Sequence, residues 1–491
     1  MIDFDNLEQH KENNRLEVKK AKGGLPNSIW ETYSSFANTL GGTILLGVCE
    51  KADKSFEIVG LNDAERILTD FWNTINNQSK VNINILSSKD VEIITIDNKD
   101  VIAISVPRAQ RADKPIYING NPLTGTYRRD GDGDYKCSQE EVKAMLRDAS
   151  AQTNDLTVLE GMNEDVFNYD TVHSYRMRMK YARPGHVWES LEDSAFLLRI
   201  GAMGRGEDGS THPTVAGLLM FGNEYEITRE FRNYFLDYQE QYDQDTRWTD
   251  RIISSSGEWS GNIFDFYFRV YNKLIQDIKV PFKLENGLRV EDTPVHKALR
   301  EALANCLINA DYYGRQGVVV IKKPNCIIIS NPGTFRLDLK EVVIGGISDP
   351  RNTTLMKMFN LIDVGERAGS GIPNIFKVWE EQQWSLPVIE EKFNPERSTL
   401  YLYLTKSTDK KSAEKIGRKN RQKKSAEKIS TRRKKQILDY LSVTETATSK
   451  DIANKINLGL SRTNDYLLEL VNDNKVIYEG KSKGRVYKIK K

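Results

Sequence analysis

Cysteine is scarce in this chain, and no long apolar run occurs. Of 491 residues only 4 are cysteine, and Cys49, Cys137, Cys306 and Cys326 stand alone with no CxxC pair. That excludes a disulfide scaffold and the paired spacing of a zinc site, and the four read as reduced thiols of a cytoplasmic protein. The longest apolar runs, such as residues 43–49 and 326–329, fall far short of the ~20 residues that span a bilayer. Residues 1–12 are acidic and polar, unlike a signal peptide. No membrane partner is expected. What is present, 39% hydrophobic and 29% charged residues, is a soluble composition long enough for two to four domains.

The net charge of +2 hides an asymmetry. Residues 406–491 hold 24 Lys and Arg against 10 Asp and Glu, a net +14, which leaves the first 405 at −12. A basic tail on an acidic body points to a polyanion partner for the tail, with a solvated charged linker as the plainer alternative. Within the tail, KKSAEKI occurs at 410–416 and again at 423–429. Residues 406–431 are therefore expected to be a basic disordered linker. Pattern returns over 432–491: a helix face of Ile437, Leu438 and Leu441, a second helix over 449–456, a third over 461–471, and strands at 475–478 and 485–489. This is the order of a winged helix-turn-helix. Ser461, Arg462, Thr463 and Asn464 would open its recognition helix, and Lys481, Lys483 and Arg485 on the wing would contact phosphate.

Residues 1–150 read as an α/β unit. A strand over 15–21 precedes a helix over 26–38, a strand over 43–48 and strands over 93–96 and 101–106. A Gly-Asp-Gly-Asp turn at 131–134 and a helix over 139–149 close the unit. In a strand, Glu17 and Lys19 share one face. A carboxylate beside an ammonium can hold Mg²⁺ or Mn²⁺ and stabilise developing charge, given a second carboxylate, for which Glu12 and Glu50 are available. Spacing alone favours an ordinary charged strand edge. The wider pattern carries more. Glu12-x4-Glu17-Val-Lys19, Ser35-Phe-Ala-Asn38-Thr-Leu-Gly-Gly42-Thr-Ile-Leu-Leu-Gly47-Val, Pro115-Ile-Tyr117 and Gly125-Thr-Tyr127-Arg128-Arg129 together resemble the Schlafen AlbA-type domain over roughly residues 8–147. The resemblance implies a nucleic-acid-binding domain with Arg128 and Arg129 among its contacts. In some members it implies a transfer-RNA or ribosomal-RNA nuclease whose three carboxylates fall on Glu12, Glu17 and Glu50, with Lys19 beside them. The third is usually Asp, so Glu50 departs by one methylene.

The middle region holds a core segment at 214–221, helices over 259–280, 295–310, 355–361 and 371–381, a β segment at 318–330 and a strand at 399–404. In the helix over 295–310, Val295, Ala298, Leu299, Ala302, Leu303, Cys306 and Ala310 form the apolar stripe. Glu301, Asn305 and Asn309 recur every four residues on another stripe, as a solvated face or a ligand face. Glycine-rich strings follow at 329–333, 345–350 and 365–371, and such loops can cradle phosphate at a helix start. The order is similar to the RecG-like C-terminal domain, a divergent member of the GHKL ATPase fold, over roughly 160–405, including the string at 213–222. The resemblance implies an α/β sandwich that binds ATP. Glu301 would activate water, Asn305 would hold Mg²⁺, and Gly369 and Gly371 would form the nucleotide loop. The adenine-recognising Asp of that fold is replaced by Ser330-Asn331-Pro332-Gly333.

The expectation is thus an α/β multidomain chain. It comprises a Schlafen AlbA-type domain (1–150), a connecting region with a GHKL-like sandwich (151–405), a basic linker (406–431) and a winged helix-turn-helix (432–491). Two functions fit. One is a DNA-binding regulator with a divergent nucleotide-binding domain. The other is a metal-dependent endoribonuclease in a toxin-like or anti-phage role. DNA or RNA is the expected partner, and self-association is left open.

Overall fold

A computed structural model of the chain describes residues 14–242, 247–276, 278, 284–285, 288–289, 293–365, 369–406 and parts of 434–489. It divides into two compact units, residues 1–405 and 406–491. Among the described residues, no helix is long and apolar enough to cross a membrane.

The first part of the larger unit runs β1 (Leu16–Lys19), α1 (Ile29–Asn38), β2 (Gly42–Leu46), β3 (Val48–Glu50), β4 (Phe56–Ile58), α2 (Ala64–Ile75), β5 (Val91–Ile96), β6 (Lys99–Val106), α3 (Pro122–Gly125), β7 (Tyr127–Asp130), β8 (Gly133–Lys136) and α4 (Gln139–Ala149). Four strands form one sheet in the order β1-β2-β6-β5. β1 lies parallel to β2, and the other pairs are antiparallel. Side-chain alternation gives this sheet two buried faces. Ile44, Leu46, Ile102 and Ile104 pack with α1 and α2, whereas Leu16, Val18, Leu45, Val101 and Ala103 pack with Val48 and Phe56. The expected strand over 43–48 is broken at Gly47, whose φ of +94° ends β2 and starts the β3–β4 hairpin.

The Asn-Thr-Leu-Gly-Gly string has a packing cause. Asn38 Nδ2 donates to the carbonyls of Ile116 (2.8 Å) and Tyr127 (3.0 Å), and its Oδ1 accepts from the Ile116 amide at 2.8 Å. A Cβ on Gly41 would press on the Val106 carbonyl and the Arg108 amide, and one on Gly42 would overlap the Phe36 ring.

The rest of the unit continues with α5 (Tyr169–Ala182), α6 (Asp193–Ile200), β9 (Met203–Arg205), β10 (Thr211–Pro213), α7 (Val215–Phe221), α8 (Glu224–Glu230), β11 (Leu236–Glu240), β12 (Asp250–Ile253), α9 (Ile263–Ile275), β13 (Leu284–Glu285), β14 (Leu288–Arg289), α10 (Pro294–Ile308), β15 (Val318–Lys323), β16 (Cys326–Pro332), α11 (Leu339–Ile344), α12 (Thr353–Leu361), α13 (Gly371–Glu381), β17 (Val388–Phe393) and β18 (Glu396–Tyr403). Its six-stranded sheet has the order β12-β11-β15-β16-β18-β17. One core joins the sheet to α5, α6, α7, α9, α10, α12 and α13. The apolar stripe expected on α10 is buried throughout, including Ala310 just past its end. The β segment over 318–330 is two antiparallel strands turning at Pro324-Asn325, and the helix expected over 259–280 spans the shorter Ile263–Ile275.

In the smaller unit, β19 (Ala447–Thr448), β20 (Val476–Glu479) and β21 (Val486–Ile489) form a three-stranded sheet in the order β19-β21-β20. The expected two-stranded hairpin is thus joined by a third strand. A helix, α14 (Ser449–Lys455), follows β19. Ile437, Leu441, Ile452, Leu467, Leu470 and Val476 are the core.

Candidate carboxylate site and ligand cavity

β1 turns Glu17 and Lys19 to one face, where both are mostly covered, because Leu16 and Val18 are drawn into the core on the other. Glu17 is held from two sides. Its Oε1 accepts from Lys19 Nζ at 2.9 Å, and its Oε2 accepts from Arg129 Nη2 at 2.9 Å. Arg129, on β7, also donates to Asp134 Oδ1 at 2.9 Å. Asp134 in turn accepts from Thr32 and Ser35 of α1. The Arg129 side chain is 1% exposed and lies over the Phe36 ring. Arg129 is therefore an internal strut between three elements, with its charge turned inward. Arg128 is also mostly covered, with Nε 2.8 Å from Glu141 of α4. Glu50 stands exposed at the end of β3, two residues beyond Val48. Glu12 lies outside the described residues. Among the described residues there is no group of three His, Cys, Asp or Glu side chains placed to hold a metal ion. Thr32 is no part of the strings quoted above; Ser35 opens one of them and Asp134 ends the turn at 131–134, but neither was expected at this site.

The second site is a cavity of about 140 Å³ beside α10. Glu301, Asn305 and Asn309 line it, and so do Gly369 and Gly371. Asn305 Nδ2 donates to Glu301 Oε1 at 2.9 Å, and Asn309 Nδ2 donates to the Asn305 carbonyl at 3.0 Å. α13 begins at Gly371 and packs along α10. A Cβ on Gly371 would overlap the Glu301 carboxylate and crowd Asn305, so glycine is what lets the helix start reach them. Gly369, at φ +64°, leads into that start. These features fit a nucleotide with Mg²⁺: a helix N-terminus favours phosphate, and Glu301 and Asn305 would hold or orient the hydrated cation. The nucleotide would supply the anionic groups and this chain the cradle.

Asn331 and Thr399 also line the cavity; Ser330 Oγ lies 2.9 Å from Thr399 Oγ1, and Asn331 Nδ2 donates to the Pro332 carbonyl at 3.0 Å. These neutral groups stand where an Asp was expected from the resemblance. Arg336 and Arg351 close the wall, and neither was anticipated from the sequence.

In the smaller unit, Thr463 is buried, so it packs inward. Arg485 lies over the Tyr478 ring at 4.2 Å. Ser461, Arg462, Asn464, Lys481 and Lys483 lie outside the described residues, as does the linker over 407–431.

Comparison with known proteins follows this division. Residues 12–138 match the family model described as "Schlafen, AlbA_2". Residues 316–400 match the one described as "Putative ATP-dependent DNA helicase recG C-terminal". Residues 143–237 match a domain of unknown function. No curated protein matches the chain. Among solved structures, the DIP2311 protein from Corynebacterium diphtheriae aligns over 97% of this chain and 92% of its own, with 16% identity and a TM-score of 0.41. The N-terminal domain of a "Putative ATP-dependent DNA Helicase RecG-related Protein" from Nitrosomonas europaea aligns over 27% of this chain and 89% of its own, with 29% identity and a TM-score of 0.22.

Proposed function

We propose, for a chain that carries a Schlafen AlbA_2 region and a RecG C-terminal region, that it is a nucleic-acid-binding regulator whose central cavity takes a nucleotide. Those two regions mark a nucleic-acid-related protein. The observation that carries the regulator reading is the pairing of Glu17. A carboxylate that serves a catalytic cation must offer it an oxygen. Here one oxygen accepts from Lys19 and the other from Arg129, which supports a structural anion between β1 and β7, with one further lone pair left on each oxygen. The net +14 of residues 406–491 supplies the polyanion contacts. The nuclease reading keeps one observation in its favour: Glu17 and Lys19 do share a face, 2.9 Å apart.

The test is DNA and RNA binding as a function of salt, for the full chain and for the chain ending at Thr405. Loss of the tail should weaken binding and flatten the plot of log K against log salt by about 0.9 for each phosphate contact removed. An unchanged slope would move the contacts to the Schlafen-type region. Incubation of the full chain with transfer RNA, ribosomal RNA and single-stranded DNA in Mn²⁺ decides between the readings. Cleavage that Glu17→Gln abolishes would establish the nuclease in place of the regulator.

A further inference from the structure

The segment between β16 and α12 has two sides. Thr334, Phe335, Arg336, Asp349 and Arg351 line the cavity, and the Schlafen-type region grips the same segment from outside. Arg108 forms a two-pronged pair with Glu391 at 2.6 and 3.1 Å and donates to the Phe335 carbonyl at 2.5 Å. Arg111 Nε donates to Asp349 at 2.5 Å. The firmest link is Arg351. Its Nε and Nη2 donate to the two oxygens of Asp148, in α4, at 2.9 and 2.6 Å. Its Nη1 donates to the Asn309 carbonyl at 2.7 Å, at the foot of the Glu301–Asn305–Asn309 stripe. The guanidinium fits there because Gly333 has no Cβ to obstruct it.

Arg336 adds a second cation. It donates to the backbone carbonyls of Asp148 (3.0 Å) and Pro350 (2.7 Å). Its side chain is 4% exposed, and among the described residues its buried Nε has no hydrogen-bond partner, 3.9 Å from Asp148 Oδ1. A buried guanidinium with a spare donor on a cavity wall is suited to an anion.

We propose that Arg336 and Arg351 form an anion latch: Asp148 holds them to α4, its carboxylate on Arg351 and its backbone carbonyl on Arg336, and the phosphate groups of a nucleotide entering the cavity draw them away, loosening α4 and the Schlafen-type region from the cavity wall. The ligand class rests on the nucleotide reading above. A guanidinium fork matches carboxylate and phosphate alike, so one can replace the other. Burial works against the charge on Asp148, but Arg351, and after it Arg336 and Arg147, outweigh burial and hold the carboxyl below its ordinary range. It therefore competes as an anion at neutral pH. The coupling is reciprocal: a ligand that weakens the Asp148 contact binds more tightly where that contact is gone.

Calorimetric titration of the full chain with Mg-ATP, and separately with inorganic pyrophosphate, tests the latch. Asp148→Asn keeps the shape and removes the charge. It should tighten binding of both probes about tenfold, about 1.4 kcal/mol. Arg315→Gln, which cuts the exposed ion pair to Glu140 of the same helix, should leave affinity unchanged. Equal affinity in the parent chain and Asp148→Asn overturns the latch and leaves the nucleotide reading intact. Absence of binding in both overturns the nucleotide reading and the latch with it. A second measurement needs no variant. Saturating Mg-ATP should speed amide hydrogen exchange across Gln139–Ala149, where a ligand that only fills the cavity would slow it or leave it alone. Slowed or unchanged exchange there overturns the latch.

Discussion

Asn38 leaves no polar atom of its side chain idle. Its amide bonds two carbonyls and one backbone amide from segments far along the chain, and it does so at the end of α1, beside the close approach that Gly41 and Gly42 permit. Asn38→Ala would take this partner from the buried Ile116 amide and Tyr127 carbonyl, while the Ile116 carbonyl keeps the Ser34 hydroxyl at 2.7 Å. At about 1–3 kcal/mol for each buried group left unmet, a loss of about 3 kcal/mol is expected. It should appear as a lower urea midpoint with an unchanged slope. The string around Asn38 was conspicuous in the sequence, and its role is legible there as a helix end and a tight turn. What the sequence withholds is the identity of the partners, because Ile116 and Tyr127 lie 78 and 89 residues away and no periodicity points to them.

The same contrast governs whole elements. α10 was readable because its apolar residues recur with the period of a helix and its partner face is one continuous core. α4 was readable from its helix pattern over 139–149, and the structure adds the cap: Ser138 and Glu141 bond each other's backbone amides across the first turn. α5 was not. Its buried side chains, Thr171, Val172, Tyr175 and Met179, are set among charged and polar neighbours with little amphipathic contrast, and they are buried by elements that come later in the chain. The carboxylate site was half readable for a related reason. Glu17 and Lys19 sit two residues apart, but the group that fixes Glu17 is 112 residues on. The link from β1 through Arg129 to Asp134 and α1 predicts a large mutational effect. Arg129→Gln takes from Glu17 and Asp134 the cation they share in a covered site, leaving Lys19 on one and the Thr32 and Ser35 hydroxyls on the other, and should cost about 3 kcal/mol. Arg66→Gln, on the exposed pair with Asp70, should stay within about 0.5 kcal/mol. Chemical denaturation of both variants checks the contrast.

At the scale of the molecule, the contact between the Schlafen-type region and the cavity-bearing region is built from buried charge, and it titrates. Burial, with Asp148 adding to it, pushes Glu396 from 4.5 up to about 7, while Arg351 and Lys114 pull the other way. Burial, and after it Arg108, brings Lys114 down from 10.5 to about 7. The signs follow from proton linkage. Between pH 4.5 and 7 the folded chain holds a proton on Glu396 that the unfolded chain has released, so stability from this group falls as pH rises. Between pH 7 and 10.5 the unfolded chain holds the Lys114 proton that the folded chain has lost, so stability from that group rises again. Glu396→Gln should flatten the acid limb: its urea midpoint, compared at pH 5 and pH 7, should change less than that of the parent chain. An equal change in both would place the titration elsewhere.

Those buried charges also bear on how the protein can be dissected. Arg108 and Arg111 pair with the β16–α12 segment and β17, and Glu391 and Glu396 lie near Lys114, so β16–α12, β17 and β18 add to the cover that residues 1–150 give these cations. A fragment ending at residue 150 would uncover three cations on one side and present a new positive face to solvent. Such a fragment would take up nucleic acid, heparin or any acidic resin through a surface that the whole chain never shows, so retention of the fragment on a polyanion column reports the cut.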